Sequence, residues 1–336
     1  MKNIAHNIIK FVIKENLHRI LLIMLLLIVF GAVGMAIFEP NVNWDNALWW
    51  SIVTLTTVGY GDIAPTTFGG RIVGSIIMIL GIGILGMFTA TIASVFVEQK
   101  LKVNRGMSNY DFTNHTIICE WNYRAKEILR ELRSDSRVLD QPIILIADID
   151  EKPVNDENLH FIKGEVDEAN LQRANIAAAK TVVILGDDKL DNNARDAQVV
   201  LAALIIESIN PSAYTIVELV NEQNVAHCRK AHVDEIIVLN EFSSRLIARA
   251  ALDHGISKVM SELLSASTGN NLYQVPVPRE LADQSFLVVF SEMKRTRNSI
   301  VLAVYRRDQD IVISNPDVDL KVAANDQLVI VSQNEQ

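Results

Sequence analysis

The chain has 336 residues, room for two or three compact units at roughly 100–200 residues each. Its net charge of −9 and pI near 5.3 exclude the basic face that a nucleic-acid binder needs to neutralise phosphates. The two cysteines, Cys119 and Cys228, are far apart, which speaks against a disulfide framework, and the seven histidines show no zinc-ligand spacing.

The positive mean hydropathy comes from the first hundred residues. Residues 20–38 carry no charge over 19 positions, close to the thickness of a bilayer core at 1.5 Å per residue. A cleaved signal peptide would be shorter and end in small residues, whereas this run meets Glu39-Pro40 and a Trp-rich segment. A second uncharged run, 72–97, is longer than the hydrocarbon requires and predicts a tilted or protruding helix. Lys2, Lys10, Lys14 and Arg19 precede the first span, and Lys100, Lys102 and Arg105 follow the second. The excess of basic residues predicts both termini on the cytoplasmic side of the cell (inner) membrane. Residues 39–70 hold no Lys or Arg but do hold Glu39, Asp45 and Asp62, as an external, cation-attracting loop should.

Within that loop, the apolar stretch after Asn43, with Asp45 in its first turn, predicts a helix that enters the membrane and stops. Thr57-Val58-Gly59-Tyr60-Gly61-Asp62 follows at once. The motif TVGYG between two spans resembles the selectivity filter of potassium channels. Glycines at alternate positions let successive carbonyls turn to one side, and four copies of such a loop stack oxygen rings that replace water around K⁺. In the second span, Gly81 and Gly83 of LGIGILG resemble the bending region of inner helices in this family, Gly81 matching best; the alternative is that they only allow close helix packing.

After a basic and polar linker, 98–114, short apolar runs alternate with helical periodicity. Strands are predicted at 116–119, 142–147, 159–162, 181–185, 214–219 and 235–239, with helices over 124–132, 170–174 and 194–208 between them. This alternation predicts a doubly wound parallel sheet over 115–240. An amphipathic helical region, 241–270, leads into a small C-terminal unit, 271–336. The order resembles the RCK (TrkA-N/TrkA-C) modules that regulate potassium conductance, on GEVDEANLQRANIAAAKTVVIL and the late AVYRRDQDIVISNPDVDLKVAANDQLVIV.

The expected fold is therefore an α-helical two-transmembrane pore domain, 20–97, with a re-entrant pore helix and filter at 43–62. An α/β Rossmann-like RCK domain and a small α+β lobe follow. The resemblance implies a two-transmembrane prokaryotic potassium channel, similar to calcium-gated ones, that is a homotetramer in the lipid bilayer gated by an RCK ring. Rings of this family use eight RCK domains, so four copies would come from separate soluble chains, for which Met107 offers an internal start, or from a different packing.

A dinucleotide site would carry G-x-G-x-x-G after the first strand, but Glu120, Asn122 and Ala125 occupy those positions, which disfavours NAD or adenine nucleotides. Asp148 could still meet a ribose. The first five strands end in or beside acids: Glu120, Asp148 with Asp150, Glu165, Asp187 with Asp188, and Glu218. Carboxylates gathered on the ligand-binding edge suit calcium or another hard divalent ion; acids at helix N-termini are the alternative account. Resemblance to calcium-activated members adds Glu222 to Asp187 and Glu218, although Val220 and Gly186 stand where two of their acids would be. No nucleophile, base and orienting acid fall together, so the chain is expected not to be an enzyme, with no covalent cofactor. A membrane-anchored NAD-dependent oxidoreductase would need the missing glycine fingerprint, and a nucleotide-sensing RCK channel is the alternative within the family. A non-conducting subunit of a potassium uptake system would lack the filter.

Overall fold

The computed structural model describes residues 17–266 and 269–333, which form two compact units divided between Val103 and Asn104. Most of the predicted N-terminal segment, including Lys2, Lys10 and Lys14, lies outside the described residues.

In the first unit, α1 (Leu17–Phe38) and α3 (Phe68–Asn104) are both long and apolar enough to cross a membrane, and the shorter α2 (Trp44–Leu55) lies between them in sequence. Met35, Ala47, Trp50, Leu55, Val73 and Ile77 form a buried core drawn from all three. Close approach of α1 and α3 needs small residues, as packing in lipid generally does: a Cβ on Gly34 would come within 2.7 Å of Val73. The buried Glu39, just past α1, accepts the backbone N–H groups of Thr66 and Thr67, both at 2.8 Å, and both threonine hydroxyls as well. That carboxylate fixes the loop before α3 against the end of α1.

Asn43 occupies the N-cap of α2 as expected but makes no side-chain cap bond. The larger difference is in α3, which runs unbroken through residues read as linker. VEQKLKV consists mostly of good helix formers, and Lys102 pairs with Glu98 one turn back at 2.5 Å.

The second unit opens with six parallel strands: β1 (Thr116–Cys119), β2 (Ile143–Ala147), β3 (Leu159–Lys163), β4 (Thr181–Ile184), β5 (Tyr214–Leu219) and β6 (Glu235–Val238). Their order is β3-β2-β1-β4-β5-β6, the doubly wound arrangement. β2 is buried at every position, as a parallel strand with both faces covered should be. α4 (Tyr123–Ser134) packs on one face over Ile118, Leu145 and Phe161. α5 (Glu168–Arg173), α6 (Asn192–Ile209) and α7 (Val225–Lys230) cover the other, over Ile117, Ile144, Val182 and Val217.

Two helices, α8 (Leu239–Leu252) and α9 (Ile256–Leu264), lead to the C-terminal lobe and bury no residue within one chain, leaving Phe242, Ile247 and Leu252 exposed. The lobe is an antiparallel sheet ordered β7-β10-β8-β9 from β7 (Asn271–Pro276), β8 (Ile300–Arg306), β9 (Ile311–Ser314) and β10 (Gln327–Ser332). α10 (Phe286–Arg297) completes its separate core, contributing Val289 and Met293.

Candidate functional site

α2 stops at Leu55 and the chain turns at once. The amides of Thr57 and Val58 donate to the carbonyls of Thr54 at 3.1 Å and Val53 at 3.0 Å, tying the following segment to the helix end. Thr57, Gly59 and Gly61 then take left-handed φ values of +61°, +56° and +77°, while Val58 and Tyr60 do not. Left-handed backbone at every second residue carries successive carbonyls to one side, the geometry an oxygen ladder requires. The glycines make this inexpensive at two positions; Thr57, β-branched, adopts it against its own steric preference. Val58 and Tyr60 are 52% and 68% exposed in one chain.

Behind the ladder, the Trp49 indole Nε1 donates to Asp62 Oδ2 at 3.0 Å, and its ring stacks on Tyr60 with centroids 6.0 Å apart. Sequence reasoning singled out Asp62 but not this partner. A tryptophan eight positions before the filter threonine was the available signal.

In α3, Gly81 and Gly83 have different surroundings. A Cβ on Gly81 would lie 2.9 Å from Leu55 Cδ1, whereas one on Gly83 meets nothing within 4 Å. Within one chain, Gly81 is therefore a packing glycine against the end of the pore helix, and Gly83 is unconstrained.

At the carboxyl edge of the six-stranded sheet, Glu120 stands where the first fingerprint glycine would be and adopts φ +78°, strained for a residue with a Cβ. Its Oε1 accepts the Trp121 N–H at 3.0 Å, so a backbone donor of this turn is already satisfied by the chain's own carboxylate. Burial pushes the Glu120 carboxyl above the usual range, with Asp187 and Asp148 adding to the effect. Asn122 caps α4 by accepting from Ala125 N at 3.0 Å and donates Nδ2–H to Gly186 O at 3.0 Å. Two backbone donors of this turn, those of Trp121 and Ala125, are thus engaged by the chain's own side chains.

Next to it two arginines bind two of the strand-end acids. Arg124 Nε donates to Glu218 at 2.6 Å and its Nη2 to Asp188 at 2.6 Å; Arg195 pairs with Asp188 at 3.0 Å and with the other oxygen of Glu218. Glu218 and Arg195 are buried, so this four-membered network is a closed charge set. The Arg124 hydrogen bonds hold the Asp188 carboxyl below its usual range. Neither arginine was anticipated, because its partner lies 94 or 23 residues away.

The remaining predicted acids are dispersed. Asp148 and Glu165 are exposed, and Asp187 accepts the Lys189 N–H in a local turn. Glu222 lines a different cavity, about 870 Å³, with Arg229, Asp234 and Asp310. Among the described residues no three His, Cys, Asp or Glu side chains stand close enough together to hold a metal ion.

An oxygen ladder at the end of a re-entrant helix between two spanning helices, with a doubly wound domain following in sequence, defines a potassium-selective channel with a regulatory domain. Residues 22–98 match the ion channel family, and residues 111–217 match the RCK domain of slowpoke-like calcium-activated potassium channels. The calcium-gated potassium channel TvoK of Thermoplasma volcanium is 29% identical over 300 residues, covering 88% of this chain and 83% of that protein. Potassium channel protein 1 of Methanocaldococcus jannaschii is 25% identical over 321 residues, 92% of each. The human SLO3 gating ring shares the fold, with a TM-score of 0.51 at 16% identity over 66% of this chain; the chain spans only 44% of that structure. The chain thus combines a channel pore module with an RCK gating domain, and over most of its length it is similar to prokaryotic potassium channels.

Proposed function

We propose that this potassium channel works as a homotetramer of the inner membrane, both termini cytoplasmic, opened by a divalent cation acting on its RCK domains, with calcium the first candidate. The filter geometry carries the pore assignment: a single chain presents carbonyls to one side only, and a ring of four closes the coordination shell. Residues 57–62 are the filter, and bending of the inner helix centres on Gly83, with Gly81 second. The exposed apolar residues of α8 and α9 support assembly into a ring, since a helix pair with one apolar face and no intramolecular partner calls for a second copy.

Calcium is supported by the gating of the related TvoK and by three of the strand-end acids outside the arginine network, Glu120 with Asp148 and Asp187, whose charges act on it. A complete site would draw further ligands from a second subunit, where relative movement of domains can bias the pore. Glu165, Glu218 and Glu222 are weaker candidates, Glu218 because it is already paired. The decisive experiment is purified channel in planar bilayers under a sodium/potassium gradient, with calcium, magnesium, NAD, ADP and ATP added on the cytoplasmic side. Potassium selectivity and activation by calcium alone are expected, with Asp187→Asn shifting activation to higher calcium. Activation by nucleotide and not by divalent ions would refute the ligand assignment.

A further inference from the structure

The chain between α3 and β1 is short and polar, and such a segment would ordinarily be a slack tether. Here it is bonded along its length to one edge of the gating domain. Bonding starts at Asn104, the last residue of α3, whose carbonyl accepts Lys152 N–H at 2.8 Å. Gly106 O accepts the Lys163 N–H of the edge strand β3 at 3.1 Å. Gly106 has φ +67°, and a Cβ there would sit 2.2 Å from Lys163 N, so only glycine permits this approach. Further on, Tyr110 OH reaches Phe161 O at 3.3 Å and Asn175 Nδ2 reaches Phe112 O at 2.9 Å.

One side chain holds more of this segment than any other described here. Arg173, the last residue of α5, donates Nη2–H to Gly106 O at 2.6 Å and to Ser108 O at 3.0 Å, and its Nε–H to Asn109 Oδ1 at 3.1 Å. Its Nη1 bonds Asn170 Oδ1 at 2.8 Å, which fixes the guanidinium before it reaches the linker, and its own carbonyl accepts Tyr110 N–H at 2.8 Å. A planar fork can hold two carbonyls and an amide oxygen at once; an ammonium on a flexible stem cannot do so in one geometry. α3 ends at Asn104, the residue at which the bonded stretch begins.

We propose that Arg173 is the coupling residue of this channel: it fastens the linker to the β3 edge, so that movement of the gating domain is delivered to the inner helix. The inference rests on the ligand-gated reading above, and Arg173 acts as a positioning residue, remote from ion and ligand. The test uses full-length wild type, Arg173→Ala and Arg173→Lys, reading open probability in bilayers with and without calcium and calcium affinity by calorimetry on the same preparations. In Arg173→Ala the ratio of open probabilities with and without calcium is expected to fall about tenfold, within the usual span of allosteric coupling, while Kd and potassium selectivity stay within about twofold. Arg173→Lys, which keeps the charge, recovers part of the ratio. Amide exchange should accelerate at Tyr110 and Lys163 and not in β1 or β4.

An unchanged ratio in Arg173→Ala overturns the proposal, as does a loss of calcium affinity in step with the loss of gating, which would mean general damage. If calcium has no effect on wild type, the ligand assignment fails and the coupling is judged on ligand-free channels. The released pore should then rest at a different open probability, and equal values in Arg173→Ala and wild type overturn the proposal.

Discussion

Two glycines two residues apart in α3 should give opposite phenotypes when replaced by alanine. At Gly83 the new methyl meets nothing within 4 Å, so the substitution only stiffens the helix. Glycine costs about 1 kcal/mol of helix stability relative to alanine; that is a factor of about five if one subunit bends alone and about 10³ if four bend together. Gly83→Ala should therefore lower open probability in single-channel recordings between these limits, with selectivity and tetramer stability unchanged. At Gly81 the methyl would lie 2.9 Å from Leu55 Cδ1, well inside the roughly 3.5–4.0 Å of ordinary carbon contact. Leu55 is 1% exposed, so there is little room to retreat, and overpacking of this kind costs about 1–3 kcal/mol. The strain falls two residues before Thr57, so Gly81→Ala should lower tetramer melting temperature and disturb selectivity. The reasoning is refuted if Gly83→Ala gates like wild type, or if Gly81→Ala changes gating with the tetramer's melting temperature intact.

Gly59→Ala should abolish potassium-selective current while the tetramer still forms, because a residue with a Cβ is disfavoured at φ +56° and would pull the ladder out of its alternation; unchanged reversal potentials would contradict this. Burial raises the Glu120 carboxyl, so its ionised form weakens the fold near neutral pH and the penalty fades as pH falls into the ordinary carboxylate range. Glu120→Gln should thus raise the melting temperature at pH 7, with the gain shrinking toward pH 4.5; a gain that grows on acidification would reverse the sign. Arg195→Ala should destabilise the cytoplasmic domain in denaturant unfolding, but by less than the roughly 3–5 kcal/mol of an uncompensated buried charge because Arg124 still pairs Glu218, whereas Arg124→Ala with Arg195→Ala should reach that range. Burial pushes the Cys119 and Cys228 thiols up to about 12 and about 11, so neither should alkylate at pH 8 until the domain unfolds.

Much of this architecture is legible locally. The strands at 116–119 and 214–219 fall where the apolar runs place them, and the others differ by one residue at an end, because a buried parallel strand declares itself by composition. The filter is legible for the same kind of reason, since glycine at alternate positions has a backbone meaning. Thr57 is the exception: nothing in a threonine announces φ +61°, and only its place in the alternation imposes it. The helix at 72–97 extends to Phe68 and Asn104 because hydropathy marks where apolar character ends, whereas helix propensity continues through charged residues. Long-range pairing is the least legible part. The acids at the strand ends were visible as acids, but that Arg124 and Arg195 satisfy Glu218 and Asp188 depends on strands β1, β4 and β5 lying side by side. The bonded linker escaped notice for the same reason, as most of what it offers to Arg173, Lys152 and Lys163 is its own backbone oxygens, which carry no sequence signature.

The alternating backbone at 57–61 also says something about what the permeating ion is to this protein. A row of carbonyl oxygens pointed the same way is a row of parallel dipoles, mutually repelling, and one of its left-handed positions is filled by a β-branched side chain. Emptied of cations, such a stretch has little reason to keep its shape. Potassium is then both passenger and keystone, and a channel stripped of it should lose first the very segment that tells it from sodium.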